Sequence, residues 1–248
     1  MKNDRNAGGE PLKRFYSQVT LDDAPEGWRI LLDGRTVRTP QLAPLTLPSR
    51  PLAEAIAEEW RRQGDTIDLG SMPLTKFANT ALDAVAPNAL SVAEDVLNFA
   101  RRDLVCYRAE KPETLAARQT LYWNPLLDWA DEHYGARLVV TEGVMPVDQP
   151  ENSIAALRTP CACLDPFGLT ALHVMTSLTG SAILALAHIA GRLSLEESWA
   201  AAHVDEDFQI EHWGEDAEAM ARREQRFEEM RAASEFFQLS REHPAEPV

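Results

Sequence analysis

The sequence predicts an α+β protein whose strands come first and whose helices follow. Near the amino terminus an Asp33-Gly34 pair lies between two apolar runs, which is a strong signal for a β-hairpin. After Asp83, apolar residues recur at helical spacing almost to the end of the chain. We therefore predict four segments: a disordered arm at 1–10, a β-rich domain at 11–84, a helical domain at 85–241 and a tail at 242–248.

The β-rich domain is expected to form a small sheet with one helix laid across it. The predicted strands cover 15–21, 28–32, 36–39 and 45–47, where residues alternate in period two or flank turn residues. In the helix, Ser49 is the expected cap and Gly64 the expected end. Leu52, Ile56 and Trp60 repeat every four residues on one face, so Trp60 is predicted to be a buried structural residue.

The helical domain is predicted to contain five helices. They cover about 90–107, 112–134, 165–190, 194–213 and 216–240. Asp165-Pro166 and the Ser194/Glu197 pair are helix-start signals, and Gly191 can close the third helix. Small residues from 180 to 187 indicate that this third helix is the centre of the bundle. The run 138–141 is β-rich and forms either an isolated strand or an extended linker.

Composition excludes several classes of protein. The chain has 39 acidic against 24 basic residues and a net charge of −15, which disfavours nucleic acid and anionic membranes as partners. The apolar run 169–190 contains too many polar residues to span a bilayer. The first 13 residues lack the pattern of a targeting signal, so we expect a cytoplasmic protein.

The three cysteines are expected to be free thiols in a reducing compartment. Their number is odd and their spacing matches no disulfide framework. Cys161 and Cys163 could chelate a metal, but two further ligands for a tetrahedral site are missing nearby in sequence.

The most informative segment is 204–218, VDEDFQIEHWGEDAE, in which carboxylates occur among large apolar residues. On a helical wheel, Val204 and Phe208 fall on one side and Ile210 and Trp213 on the other. Apolar groups on both sides predict a helix packed on two sides, with Trp213 as a structural residue. The acids would then lie at the edge of a buried surface, or of one that a partner buries.

Motifs for catalysis or cofactor binding are weak. No phosphate-binding loop, dinucleotide fingerprint or nucleophile elbow is present. His203, Asp207 and Glu211 share one helix face and are the best metal candidates, although such a row is more often a salt-bridged surface. The apolar cluster at 123–129 could line a pocket or belong to the core. We predict no catalytic, cofactor-binding or metal-binding residue.

Eight segments, in order, match a known family. They are KRFYSQV (13–19), DGRTVRTP (33–40), LAEAIAEEW (52–60), MPLTKFANTALD (72–83), DLVCYRAEKPETL (103–115), WNPLLDWA (123–130), LTALHVMTSLTGS (169–181) and VDEDFQIEHWGED (204–216). In these segments the chain resembles the assembly chaperones of the F-type ATP synthase that protect the α subunit of its catalytic head.

The resemblance implies a small β-rich domain followed by a larger orthogonal helical domain, without catalysis or a cofactor. It also implies binding of a newly made α subunit until the β subunit displaces the chaperone. In the family an acidic residue after the Trp-Gly pair is important, and here position 217, often Glu in relatives, is Ala217. The predicted partner-binding residues are Glu211, Glu215, Asp216 and Glu218.

We expect a monomer in the bacterial cytoplasm, and the mitochondrial counterpart would be in the matrix. Two alternatives remain: an enzyme of unknown chemistry that uses the His203, Asp207 and Glu211 row, or an adaptor that binds another protein through 203–218.

Overall fold

A computed structural model describes residues 12–143 and 145–241 of the chain. It is an α+β fold, as predicted, with a small sheet near the amino terminus followed mostly by helices. The predicted arm at 1–10 and tail at 242–248 lie outside the described residues. The sheet contains the strands β1 (Val19–Ala24), β2 (Gly27–Leu32), β3 (Arg35–Thr36) and β4 (Thr46–Leu47).

The sheet is built around β2. β1 pairs with β2 antiparallel, and β3 and β4 pair with successive parts of β2. Asp33 and Gly34 have φ angles of 47° and 79°, which confirms the predicted hairpin turn. The predicted strand at 15–21 begins later, at Val19, because the preceding segment turns toward the helix. There the Arg14 N–H donates to the Asp65 carbonyl at 2.9 Å.

The first helix, α1 (Arg50–Arg61), crosses this sheet. The Ser49 hydroxyl accepts from the Leu52 N–H at 3.2 Å, which confirms the predicted cap. Leu52, Ile56 and Trp60 are all buried, as their spacing predicts. The helix ends at Arg61, before Gly64, so Gly64 is not its cap.

The remaining part is mostly helical. Its helices are α2 (Pro73–Thr80), α3 (Ala89–Ala100), α4 (Glu113–Tyr134), α5 (Glu151–Ala162), α6 (Pro166–Thr179), α7 (Ala182–Ile189), α8 (Leu195–Ala202), α9 (Val204–Trp213) and α10 (Ala217–Arg241). Two short strands, β5 (Tyr107–Arg108) and β6 (Thr141–Glu142), pair in parallel. α10 packs against α6 and α2, and it also contacts α1 and α8.

Three predicted helices are shorter than expected. The predicted helix at 165–190 is broken between α6 and α7, where Gly180 has a φ of 69° and Ser181 caps the next helix. The predicted helix at 194–213 is broken at His203, whose backbone leaves the helical region. The predicted helix at 90–107 ends at Ala100, after which Asp103 caps a separate turn.

Two helices were not predicted. α2 begins where the Glu59 carboxylate accepts from the Leu74 and Thr75 N–H groups, a cap supplied by another helix. α5 contains Pro160, a residue that weakens a helical signal. The caps at Asp165 and the Ser194/Glu197 capping box are confirmed.

Buried residues from the sheet and from the helices form one continuous apolar cluster. The apolar core therefore continues across the predicted domain boundary at 84/85. The division into two domains stays a prediction. None of the helices in 12–143 and 145–241 is both long and apolar enough to cross a membrane.

Candidate functional site

The acidic segment forms α9, a turn and the start of α10. Gly214, with φ 87° and ψ 175°, ends α9 in a conformation that favours glycine. The Asp216 carboxylate accepts from the Ala219 N–H at 2.8 Å and so caps the first turn of α10. The two helices therefore meet at this turn and form a surface cleft.

α9 is packed on only one side. Val204 and Phe208 are buried, but Ile210 is half-buried and Trp213 is 78% exposed. The prediction of a helix packed on two sides is wrong, and the exposure of Trp213 does not fit a structural role in the core. The reason is that, within the described residues, nothing covers the second apolar face where the chain turns at Gly214.

A cavity of about 470 Å³ lies between α9 and α10, and we call it the Trp213 groove. Its apolar wall includes Ile210, Trp213 and Met220. Arg222 and Arg223 also line the groove. Single exposed apolar residues are ordinary on a protein surface, but a large aromatic ring beside a groove is typical of binding surfaces.

The four predicted partner-binding acids differ in their surroundings. Glu211 accepts from Arg118 at 2.8 Å, and Glu218 accepts from Arg222 at 2.6 Å. Asp216 is the helix cap, which leaves Glu215 as an exposed acid without an ion pair among the residues described. All four lie near the Gly214 turn in sequence, but the three with described contacts each bind a different residue.

The His203, Asp207 and Glu211 row is not a joint site. His203 is buried and its Nδ1 lies 2.8 Å from the Trp199 carbonyl oxygen, while Asp207 pairs with Arg223 at 2.6 Å. Burial lowers the pKa of His203, which favours its neutral form. In the part of the chain that the structure describes, no group of three or more His, Cys, Asp or Glu residues is placed to hold a metal ion.

Of the other aromatic and thiol candidates, Trp123, Cys106 and Cys161 are buried, whereas Cys163 is exposed. Trp123 is 1% exposed and its Nε1–H donates to the Ala201 carbonyl at 2.8 Å, so this residue of the 123–129 cluster is packed in the core. Trp123 also lines a surface cavity of about 640 Å³. Cys106 and Cys161 are buried free thiols, and burial raises the pKa of Cys161 to about 12. A thiol with so high a pKa is a poor nucleophile at neutral pH.

The predicted site residues do not include the arginines of the groove. Arg222, Arg223 and Arg226 follow the acidic segment at helical spacing, so a basic helix face directly after an acidic one was the available signal. Arg226 donates to the Leu178 carbonyl at 2.5 Å and ties this face to α6. The site therefore carries both signs of charge around an exposed aromatic ring.

Known proteins of one family resemble this chain. The family model described as ATP12 chaperone protein matches residues 13–131. The crystal structure of Atp12 from Paracoccus denitrificans superposes with a TM-score of 0.89 at 44% identity, covering 93% of this chain and 99% of that chain. The crystal structure of a protein from Agrobacterium tumefaciens superposes with a TM-score of 0.88 at 51% identity, covering 92% of this chain and 85% of that chain.

A more distant relative comes from a eukaryote. The protein atp12, mitochondrial, of Schizosaccharomyces pombe is 24% identical over 214 residues, which is 82% of this chain and 74% of that protein.

Proposed function

This chain belongs to the ATP12 chaperone family, and from that membership we propose that it binds the unassembled α subunit of the F-type ATP synthase catalytic head. In this proposal it keeps the α subunit from aggregating until the β subunit takes its place. Such protection is needed because a ring subunit exposes apolar and charged surface before its neighbour arrives. The proposal contains no catalytic step and no cofactor.

The observation that carries the proposal is the exposed Trp213 beside a groove. Tryptophan is enriched among the few residues that supply most of the binding energy in protein interfaces. Trp213 is 78% exposed, so burial of its ring against a partner would remove apolar surface from water. We propose that this ring packs against apolar surface of the α subunit that the β subunit later covers.

The charges around the ring would orient the partner. Glu215 lies one residue beyond Gly214 and is free to pair with a basic side chain of the α subunit. Paired acids such as Glu211 and Glu218 already have intrachain arginine partners, so they contribute less to a new ion pair. Charge pairs at the rim of an interface set orientation and association rate more than affinity.

The chaperone activity is tested by light scattering of isolated α subunit diluted from denaturant, with and without this protein and without ATP. We expect lower scattering and a complex containing one copy of each chain, which addition of β subunit dissociates. Equal scattering in both samples would refute the chaperone proposal.

The binding surface is tested with Trp213→Ala and a matched control, Leu121→Ala. Leu121 is 73% exposed, lies on α4 and is not among the residues that line the groove. We expect Trp213→Ala to weaken α-subunit binding by a factor of about 30, equivalent to about 2 kcal/mol, with an unchanged melting temperature. Leu121→Ala should bind like the parent protein. Similar effects of both substitutions would place the interface elsewhere.

The roles of the acidic residues are distinguished by measuring both the stability and the α-subunit binding of each variant. Asp216→Asn weakens a helix cap and should lower the melting temperature slightly. Glu215→Gln breaks no contact among the described residues, so it should leave melting unchanged and make α-subunit binding weaker and less salt-sensitive. Glu218→Gln loses its Arg222 pair and should have a smaller effect on binding. If all three bind with unchanged affinity and salt dependence, the acidic turn is not a recognition site.

A further inference from the structure

A second cavity, of about 520 Å³, opens beside the hairpin and the carboxyl end of α1. Phe15, Val37 and Trp60 contribute apolar walls, and Arg35 and Arg38 contribute positive charge. We call it the Trp60 pocket. It shares no lining residue with the Trp213 groove. It is therefore a separate candidate site on the same protein.

The charge of the pocket is opposite to that of the protein. Arg35 and Arg38 are exposed, and neither has a carboxylate within salt-bridge distance among residues 12–143 and 145–241. Arg38 donates to the Leu42 carbonyl at 2.7 Å. The one acid in the lining, Asp33, is occupied by backbone N–H groups, the closest that of Gln18 at 2.8 Å. Two arginines without carboxylate partners are unexpected in a chain of net charge −15.

Trp60, which lines this pocket, has a buried hydrogen-bond donor that is not used. The side chain is 9% exposed, and its Nε1–H has no acceptor among the described residues. In contrast, the buried Trp123 donates its Nε1–H to a carbonyl. An unsatisfied buried donor is unfavourable, so an acceptor brought by a ligand would remove that penalty.

Two aromatic residues that line the pocket, Phe15 and Trp60, are linked through the ring of Tyr16. Phe15 is 66% exposed and meets Tyr16 edge to face, with ring centroids 5.4 Å apart. Tyr16 in turn meets Trp60 at 5.7 Å, and its hydroxyl donates to the Trp60 carbonyl at 2.6 Å. The rings are thus held in a fixed array whose outer member is open to a partner.

We propose that the Trp60 pocket binds an acidic side chain, Asp or Glu, of a polypeptide segment that also presents an apolar residue. The carboxylate oxygens accept from the guanidinium groups of Arg35 and Arg38 and from the Trp60 Nε1–H. The adjacent apolar residue packs on Phe15, which a free small anion cannot do. When no ligand is bound, other atoms of the protein cover the Trp60 Nε1 atom. Binding of the acidic residue therefore requires a side chain at the rim of the pocket to rotate aside.

The test uses the full chain and two peptides that differ in one charge, acetyl-Leu-Asp-Leu-amide and acetyl-Leu-Asn-Leu-amide. The readout is the indole ¹H–¹⁵N resonance of Trp60, assigned with Trp60→Phe, which keeps an aromatic ring and removes the N–H. We expect the Asp peptide to shift this resonance in a saturable, salt-sensitive way. The Asn peptide and acetate should each shift it at least fivefold less at equal concentration.

Arginine variants test whether the Asp peptide binds in the pocket or is attracted equally by any exposed arginine. Arg35→Gln and Arg38→Gln should each weaken binding of the Asp peptide at least threefold. Arg102→Gln is the matched control, because Arg102 is also exposed and has no ion pair within the described ranges, and it should bind like the parent protein. A Trp60 resonance that does not move, or equal binding by all three variants, would overturn the proposal.

An equal response to acetate would also overturn it and would assign the pocket to free small anions. The peptides contain no part of the α subunit, so failure here leaves the proposed chaperone function standing.

Discussion

Replacing the buried carboxylate of Asp103 with an amide should change how stability depends on pH. Asp103 is fully buried and accepts from the Val105 N–H at 3.2 Å and from the Ile183 N–H at 3.1 Å. It therefore joins the turn after α3 to the start of α7. Burial raises the pKa of this carboxyl from 3.8 to about 6, and the hydrogen bonds from Ser181, Ile183 and Val105 oppose that rise.

The direction in which stability changes with pH follows from the linkage between proton binding and folding. Because the pKa of Asp103 is higher in the folded protein than in the unfolded chain, folding favours the protonated form. Its contribution is fully present below pH 3.8 and is lost as the pH rises through about 6. With these two pKa values, the loss between about pH 5 and about pH 7.5 is about 1 kcal/mol of unfolding free energy.

Asp103→Asn does not titrate, so the comparison isolates this contribution. We expect the variant to be less stable than the parent at both pH values, since an amide replaces one acceptor oxygen with a donor. The difference in unfolding free energy between the two proteins should shrink by about 1 kcal/mol from about pH 5 to about pH 7.5.

Urea unfolding followed by circular dichroism at several pH values measures this difference, and Asp95→Asn corrects for the loss of one exposed negative charge. A difference that is constant, or that widens with pH, would refute the reasoning. Widening would mean that the hydrogen bonds outweigh desolvation.

Three further predictions concern stability. Trp60→Ala should lower the free energy of unfolding by about 3–5 kcal/mol, because the ring packs on Tyr16 in the core. Thermal melting measures this loss. An unchanged melting temperature would contradict its burial. Gly180→Ala should cost about 1–2 kcal/mol in urea unfolding because of its positive φ, whereas Gly64→Ala, also in open space but without a positive φ, should cost much less. Glu59→Ala should cost about 1–2 kcal/mol, since it removes the cap of α2, and a smaller loss would show that Pro73 starts this helix unaided.

Local signals in the sequence predicted the local structure well. The Asp33-Gly34 turn and the caps at Ser49, Asp165 and Ser194 are all present. Each of these features depends on residues within a few positions of one another, so the sequence pattern contains nearly all of its physical cause.

Features that depend on distant residues were predicted poorly. Gly180 and its small neighbours are compatible with a continuous helix or with a break. The break is stabilised by the Asp103 carboxylate, which accepts from the N–H of Ile183, 80 residues away in sequence. Similarly, α2 begins on the Glu59 carboxylate of another helix. Spacing along one segment does not report such partners.

The candidate site likewise combines features that the sequence predicts with features that depend on distant residues. Sequence alone located the acidic turn after Trp213 and the buried face of α1, because charge and apolar spacing are properties of single segments. Whether Trp213 is covered depends on the direction that α10 takes after Gly214, and whether Trp60 finds an acceptor depends on the sheet packed beside it. Exposure and hydrogen-bond satisfaction are properties of packed neighbours, so they became visible only when the segments were assembled in three dimensions.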